Sequence, residues 1–276
     1  MIPTLLILSL AAGQDMALNQ ILIPGQGWLG IVGVPGSPGV LGVDSAGHLV
    51  FADAEQPLLY RLDARNQPVL LAKLGGVAAG LAPAQQGGVL VSVPRQRRIL
   101  RIDDSGKEEI LHTGVLAGAL VQTTPDTVFY LGPRRAIYRV NREDRLLRQL
   151  DEPAGLALWA DKATLVVGDS IGPHLTAFRI NQWDNLDAQE RYYTLRARPG
   201  EMSGVQALSL DGAGRLYAAS RIGVQIFDPT GRLCGVLNSP VRAPVTALTL
   251  AGKRCDQLYI ICGGKLYTRK IQVGKP

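Results

Sequence analysis

A short segment recurs along this 276-residue chain at near-constant intervals, and that recurrence limits the fold more than any other property. Arg61-Leu62-Asp63, Arg101-Ile102-Asp103, Arg139-Val140-Asn141 and Arg179-Ile180-Asn181 follow one another at spacings of 40, 38 and 40 residues. Ile226-Phe227-Asp228 is a looser fifth copy and Lys270-Ile271-Gln272 a sixth. Ahead of each copy lies a short β-rich run, such as Leu49 to Ala52 or Val89 to Val93, and ahead of that another apolar stretch. The stretches begin near residues 40, 78, 117, 154, 205 and 245. Turn signals fall between the runs: Asp44-Ser-Ala-Gly47, Asp104-Ser-Gly106, Asp211-Gly-Ala-Gly214 and Asp228-Pro-Thr-Gly231. Helical periodicity is nearly absent.

Four strands per period of about 40 residues is the pattern of a β-propeller, and six units fit this length. Two packed β-sandwiches are the alternative, but they do not explain the period. Hydrophobic residues make up 46 % of the chain, enough for a substantial core. The expected fold is therefore all-β: one six-bladed propeller over residues 20–273, with four antiparallel strands per blade. Residues 20–32, ahead of the first complete unit, are expected to supply the outer strand of the sixth blade and close the ring. Small residues on the inner strands, among them Gly42, Ala79, Gly80, Ala119, Gly155, Ala157 and Ala207, are read as marking where blades converge on the axis. The longest departure from the period runs from Gln182 to Ser203.

Residues 1–13 combine an apolar run from Thr4 to Ala12 with the small residues Ala11-Ala12-Gly13. This is too short to span a bilayer and matches a secretory signal, although no Lys or Arg precedes it. It predicts an exported protein, periplasmic or extracellular; a chain keeping this segment as an ordinary terminus would be cytoplasmic. Three cysteines, Cys234, Cys255 and Cys262, do not form a disulfide framework, and no Cys/His cluster suggests zinc. The net charge is +6, yet aromatic residues are only 5 %, which argues against nucleic acid as a partner.

Two motif matches lack the context their chemistry needs. Gly168-Asp-Ser-Ile-Gly172 has the form of a nucleophile elbow but falls between two strands, whereas that elbow requires a strand-to-helix turn. Gly25-Gln-Gly-Trp-Leu-Gly30 has the dinucleotide-binding spacing with no helix to follow. The basic residues carry more information. Arg95, Arg97 and Arg98 fall in the turn between second and third strands of the second unit, and Arg134 and Arg135 in the same turn of the third. Equivalent turns share one face of a propeller. The expectation is a cationic rim that, with Asp169 and Ser170, binds a small anionic ligand or a protein partner at the channel mouth; the plainer reading is a solvated rim with local ion pairs. Arg61, Arg101, Arg139 and Arg179, on third strands, are read as structural.

Two regions carry a more specific likeness. They are Ser203 to Ser220, followed by Gly223-Val-Gln-Ile-Phe-Asp-Pro-Thr-Gly231, and the later Leu237-Asn-Ser-Pro240, Pro244-Val-Thr246 and Leu266-Tyr267. Their order resembles the closing blades of the gluconolactonase/regucalcin family of six-bladed propellers, and Asp44 to Asp53 fits the first. The resemblance implies one divalent cation at the top of the channel, held by Glu, Asn and Asp oxygens, which polarises a lactone carbonyl and activates water. It places those ligands at Gly39, Gly118, Ala154 and Gln206, where only Gln206 offers an oxygen, and a neutral one. The expectation is thus a family member with no metal or other cofactor that binds a ligand or partner without catalysis. The alternative is a lactone hydrolase whose cation (Ca, Mn or Zn) sits in a rearranged site of Asp53, Asp169, Glu201 and Gln206.

Overall fold

The computed structural model describes residues 16–273 and places six four-stranded antiparallel sheets around a central channel. The first sheet is Pro38–Val43, Leu49–Asp53, Leu58–Leu62 and Pro68–Lys73, running from the axis outward. The other inner strands are Gly80–Pro83, Leu120–Thr124, Pro153–Leu158, Ala207–Leu210 and Val245–Ala251. Turns from first to second and from third to outer strand lie on one face, called lower here. Turns from second to third strand, and the links between blades, lie on the upper face.

The lower turns explain the periodicity of the sequence. In Asp44, Asp63, Asp103, Asp211 and Asp228 one carboxylate oxygen accepts the backbone N–H groups two and four residues ahead. Asn181 does the same with its amide oxygen. A short acceptor that captures two N–H groups fixes a tight turn without help from the rest of the fold. The fourth position needs a left-handed backbone, supplied by Gly47, Gly106, Gly214 and Gly231.

Ring closure follows the expectation: Leu29–Gly30 pairs with Lys265–Lys270 as the outer strand of the sixth blade. Because that strand has only two residues, side chains reinforce it. Ile21 is buried among Val224, Leu258 and Ile271, and the Trp28 indole donates to the Asn238 carbonyl at 2.8 Å. The apolar core is not central. It forms six clusters, one at each interface between neighbouring blades.

The small inner-strand residues line the axial channel, as expected, and two of them also set the spacing of neighbouring blades. A Cβ on Gly42 would meet Leu81 Cβ of the next blade at 2.5 Å, and one on Gly80 the Gly118 carbonyl of the next at 2.3 Å. These glycines set how closely adjacent inner strands approach. Each inner strand also carries a leucine at one equivalent position, paired with the residue two before the end of the second strand: Leu41, Leu81, Leu120, Leu156, Leu208 and Leu248. Each leucine packs toward the preceding blade while its edge borders the channel. The segment 182–203 lengthens the fourth blade's outer strand, Leu186–Thr194, and the link to the fifth.

Candidate functional site

The six leucines form a waist that borders two chambers. The upper one, about 210 Å³, is lined at its top by Gly39, Ala79, Ala119, Gly155, Gln206 and Thr246. The residues two before each leucine are Gly39, Ala79, Gly118, Ala154, Gln206 and Thr246, so the four positions inferred for a cation share one offset from the waist, although Gly39, Ala154 and Thr246 fall within bulges. Gly39 and Gln206 line the chamber directly, and Gly118 and Ala154 stand one residue ahead of lining residues. A hard divalent cation takes six or more oxygens, several of them anionic. This ring supplies the Gln206 amide and the Thr246 hydroxyl, so the residues present do not fit such an ion. Among the described residues, no three His, Cys, Asp or Glu side chains come together as a metal group.

The carboxylates of the rearranged alternative are occupied elsewhere. Asp53 ends the first blade's second strand, buried, and accepts three backbone N–H groups: Ser37 at 3.0 Å, Glu55 at 2.8 Å and Gln56 at 2.8 Å. Burial pushes its acidity the other way, yet the three amides prevail and hold the carboxyl below the usual aspartate range. Asp169, at the same point of the fourth blade, accepts from Ile171 at 2.9 Å and Gly172 at 3.2 Å. Its neighbour Ser170 is bound through its backbone to Glu152 and Gly204. The segment Gly168 to Gly172 therefore joins two strands by an Asp-capped turn, with no helix behind the serine. Glu201 is exposed and faces Arg198 at 3.7 Å. The chain does not bring Asp53, Asp169 and Glu201 to one point.

The arginines stand on the upper face. Arg95 lies within a 3₁₀ turn at Pro94–Gln96 and Arg97 follows it, and Arg134 and Arg135 end another at Pro133–Arg135. Arg97, Arg134 and Arg135 have φ of 55°, 59° and 56°, a left-handed backbone that costs a non-glycine residue about 1 kcal/mol or more. Arg97 donates to the Gly114 carbonyl and Arg135 pairs with Glu152 at 3.0 Å. Arg95 and Arg134 are exposed with no ion pair among the described residues. Arg95 also borders a hollow of about 500 Å³ with Glu55 and Ala78. The topology adds cations that the sequence reading missed: Arg198, Arg221 and Arg242 fall in upper-face turns or links, and Lys265 begins a strand at that face. Exposed Ile171, Met202 and Val241 share that face. Each lies in a turn irregular in length, so the repeat gave no register for it.

The third-strand arginines divide by blade. Arg61 lies 3.8 Å from Asp44 and 3.6 Å from Asp104, and Arg101 lies 2.6 Å from Glu109. Arg139 is buried and donates to the Trp183 carbonyl of the next blade. Arg179 is exposed.

Comparisons with known proteins agree with this geometry. Residues 37–263 match the sequence model of the SMP-30/Gluconolactonase/LRE-like region. No curated protein matches. Among solved structures, a gluconolactonase from Xanthomonas campestris superposes with a TM-score of 0.77 at 20 % identity, covering 92 % of each chain. A luciferin-regenerating enzyme gives 0.72 at 14 % identity, covering 90 % of this chain and 96 % of its own. The calcium-binding protein regucalcin from Agrobacterium tumefaciens gives 0.70 at 13 % identity, covering 89 % and 94 %. At such identities the structural likeness bears on the fold alone.

Proposed function

The chain belongs to the SMP-30/gluconolactonase/LRE-like family, and from that premise we propose that it is a non-catalytic member, binding a small anionic ligand or an acidic protein partner at its upper channel mouth. One observation carries the reading. Among the described residues, the lining of the upper chamber contains no Ser, Cys, His, Lys, Asp or Glu, so nothing in it can serve as a general base, a general acid or an anionic metal ligand. Outside it stand exposed arginines whose planar, permanently charged heads suit carboxylate or phosphate. Two of them, Arg95 and Arg134, have no carboxylate partner among the described residues.

The test combines binding and activity. Metal-stripped protein is melted with and without Ca²⁺, Mn²⁺ and Zn²⁺ and assayed for lactone hydrolysis, and phosphate, gluconate and a polyglutamate peptide are titrated by calorimetry. The reading expects a melt indifferent to cations, no turnover, and anion binding that disappears in Arg95→Glu/Arg134→Glu. A cation-dependent rise in melting temperature with turnover overturns it in favour of a lactone hydrolase, since an ion bound only by the native state stabilises it by mass action. Export is proposed from residues 1–13, which lie outside the described residues, and is tested by sequencing the N-terminus of the mature protein.

A further inference from the structure

Below the leucine waist the channel widens into a second chamber of about 700 Å³, three times the upper one and opening on the opposite face. We propose that this lower chamber is a separate binding site for a compact, uncharged molecule with an apolar body and one or two neutral hydrogen-bonding groups. Three observations select that class.

Besides the neutral polar side chains of Ser45, Gln85, Gln122, Ser209 and Thr249, the walls below the six leucines are the apolar Val43, Pro83, Leu158, Leu210 and Leu250, with Trp159 at the margin. Water needs two to four polar partners and gains little from such a surface, whereas an apolar body removes it from solvent. The inner strands pair only on their outward side, because each is the terminal strand of its sheet. Their free edges turn toward the axis and offer neutral N–H and C=O groups, which suit an alcohol, a ketone or an amide. Among the described residues the lining holds a single charged side chain, Lys162, in the lower turn between Leu158 and Thr164 at the mouth. Its neighbour Asp161 is committed to the backbone of Ala163 and Thr164. A cation carried into the chamber would lose its water without gaining a partner, and an anion would find one only in Lys162 at the mouth, not along the leucine walls where its body would sit. The volume lies within the range usual for small-molecule sites, about 300–1,000 Å³.

The probe is N-phenyl-1-naphthylamine, an uncharged diarylamine that fluoresces in apolar surroundings, titrated into the full chain. Competitors of one shape and three charges follow: 1-naphthol, 1-naphthoate and 1-naphthylmethylammonium. The expected result is saturable binding at one site, displaced by 1-naphthol at least about tenfold more effectively than by either ion. Leu158→Glu should weaken the probe by at least about tenfold while the variant still melts cooperatively. Cys255 also lines the chamber, whereas Cys234 lies on the fifth blade's outer strand. Saturating probe should therefore slow alkylation of Cys255 by N-ethylmaleimide and leave Cys234 unchanged, a measurement on the unaltered chain that decides the matter if Leu158→Glu does not fold. Non-saturable fluorescence, displacement by a charged naphthalene as effective as by 1-naphthol, or equal effects on both cysteines would each overturn the proposal. None of these readouts involves the upper rim.

Discussion

Two turns of the fifth blade carry the same pattern, Asp-x-x-Gly-Arg, at Asp211 to Arg215 and Asp228 to Arg232, and differ almost only in burial. That makes them a matched pair. Asp211 is enclosed: one oxygen accepts Ala213 N and Arg215 N, the other Arg215 Nε at 2.6 Å and Tyr217 OH at 3.1 Å. The Arg215 side chain is only 10 % exposed and also donates to the Gln272 carbonyl beside the closing seam. In the second turn, Arg232 is 68 % exposed and reaches Asp228 at 3.3 Å. Asp211→Ala would leave a buried guanidinium and a buried phenol unmatched, a loss of about 3–5 kcal/mol. Asp228→Ala should lose the turn's backbone bonds and the exposed contacts of Thr230 and Arg232, about 1 kcal/mol in all because water replaces them. With an unfolding entropy of about 2.1 cal/mol/K per residue, 276 residues give about 0.6 kcal/mol/K, so the melting temperature should fall by about 5–8 °C against about 2 °C. Urea unfolding of Asp211→Ala, Arg215→Met and the double variant completes the test. The double variant should recover at least about 1.5 kcal/mol of the summed losses, since removing both partners leaves no buried charge. Equal losses at Asp211 and Asp228, or a strictly additive double variant, would refute the argument that burial decides the value of the turn.

Other consequences are open to the same measurements. Ile21→Ala removes a fully buried side chain from the seam and should cost about 2–4 kcal/mol by urea unfolding, more than the pairing of Leu29–Gly30 itself contributes. Asp53 has its acidity strengthened in the fold, so its stabilisation is complete above its unfolded value near 3.8 and is lost as pH falls through the lower folded value. Asp53→Asn should therefore flatten the acid limb of the stability profile below about pH 4 and leave its shape at higher pH unaltered. Gly88→Ala should destabilise by more than about 1 kcal/mol, because φ is +80° and the new Cβ would meet the Ile102 carbonyl at 2.1 Å. Arg95→Glu/Arg134→Glu should melt within about 2 °C of the parent, since neither exposed side chain holds a partner, and any loss of anion binding is then a local effect.

The fold was legible because its turns are local. An aspartate whose N–H donors lie two and four residues ahead writes its geometry into consecutive sequence, and three blades repeat it, with an asparagine in a fourth. The seam was legible too, since residues 20–32 had no other blade to join. What lies on the axis was not. The six leucines differ in their sequence neighbours (Val40 and Gly42 around Leu41, Ala207 and Ser209 around Leu208), and only strand register aligns them. Bulges next to Val40, Leu156 and Ala247 shift the count by a residue in three of the blades. Glycines such as Gly42 were visible as small, but whether they face the axis or a neighbouring blade depends on that same register. Asp53 and Asp169 stand in the sequence as free carboxylates; the N–H groups that occupy them come from turns whose shape no pattern specifies.

The two-residue seam has a consequence for synthesis. Gly30 pairs with Tyr267, so the first strand made waits for a partner 237 residues later, about 10–50 s at usual elongation rates. Throughout that interval the growing chain is an open arc. The face of the first blade that will meet the sixth, including Leu41, Phe51 and Leu62, has nothing to cover it. Each blade can form as its own hairpins leave the ribosome, but no intermediate number of blades brings the two ends of the arc together. A truncated product therefore presents two bare apolar flanks rather than a smaller ring, and a nascent-chain chaperone would find its binding surface at the arc's ends.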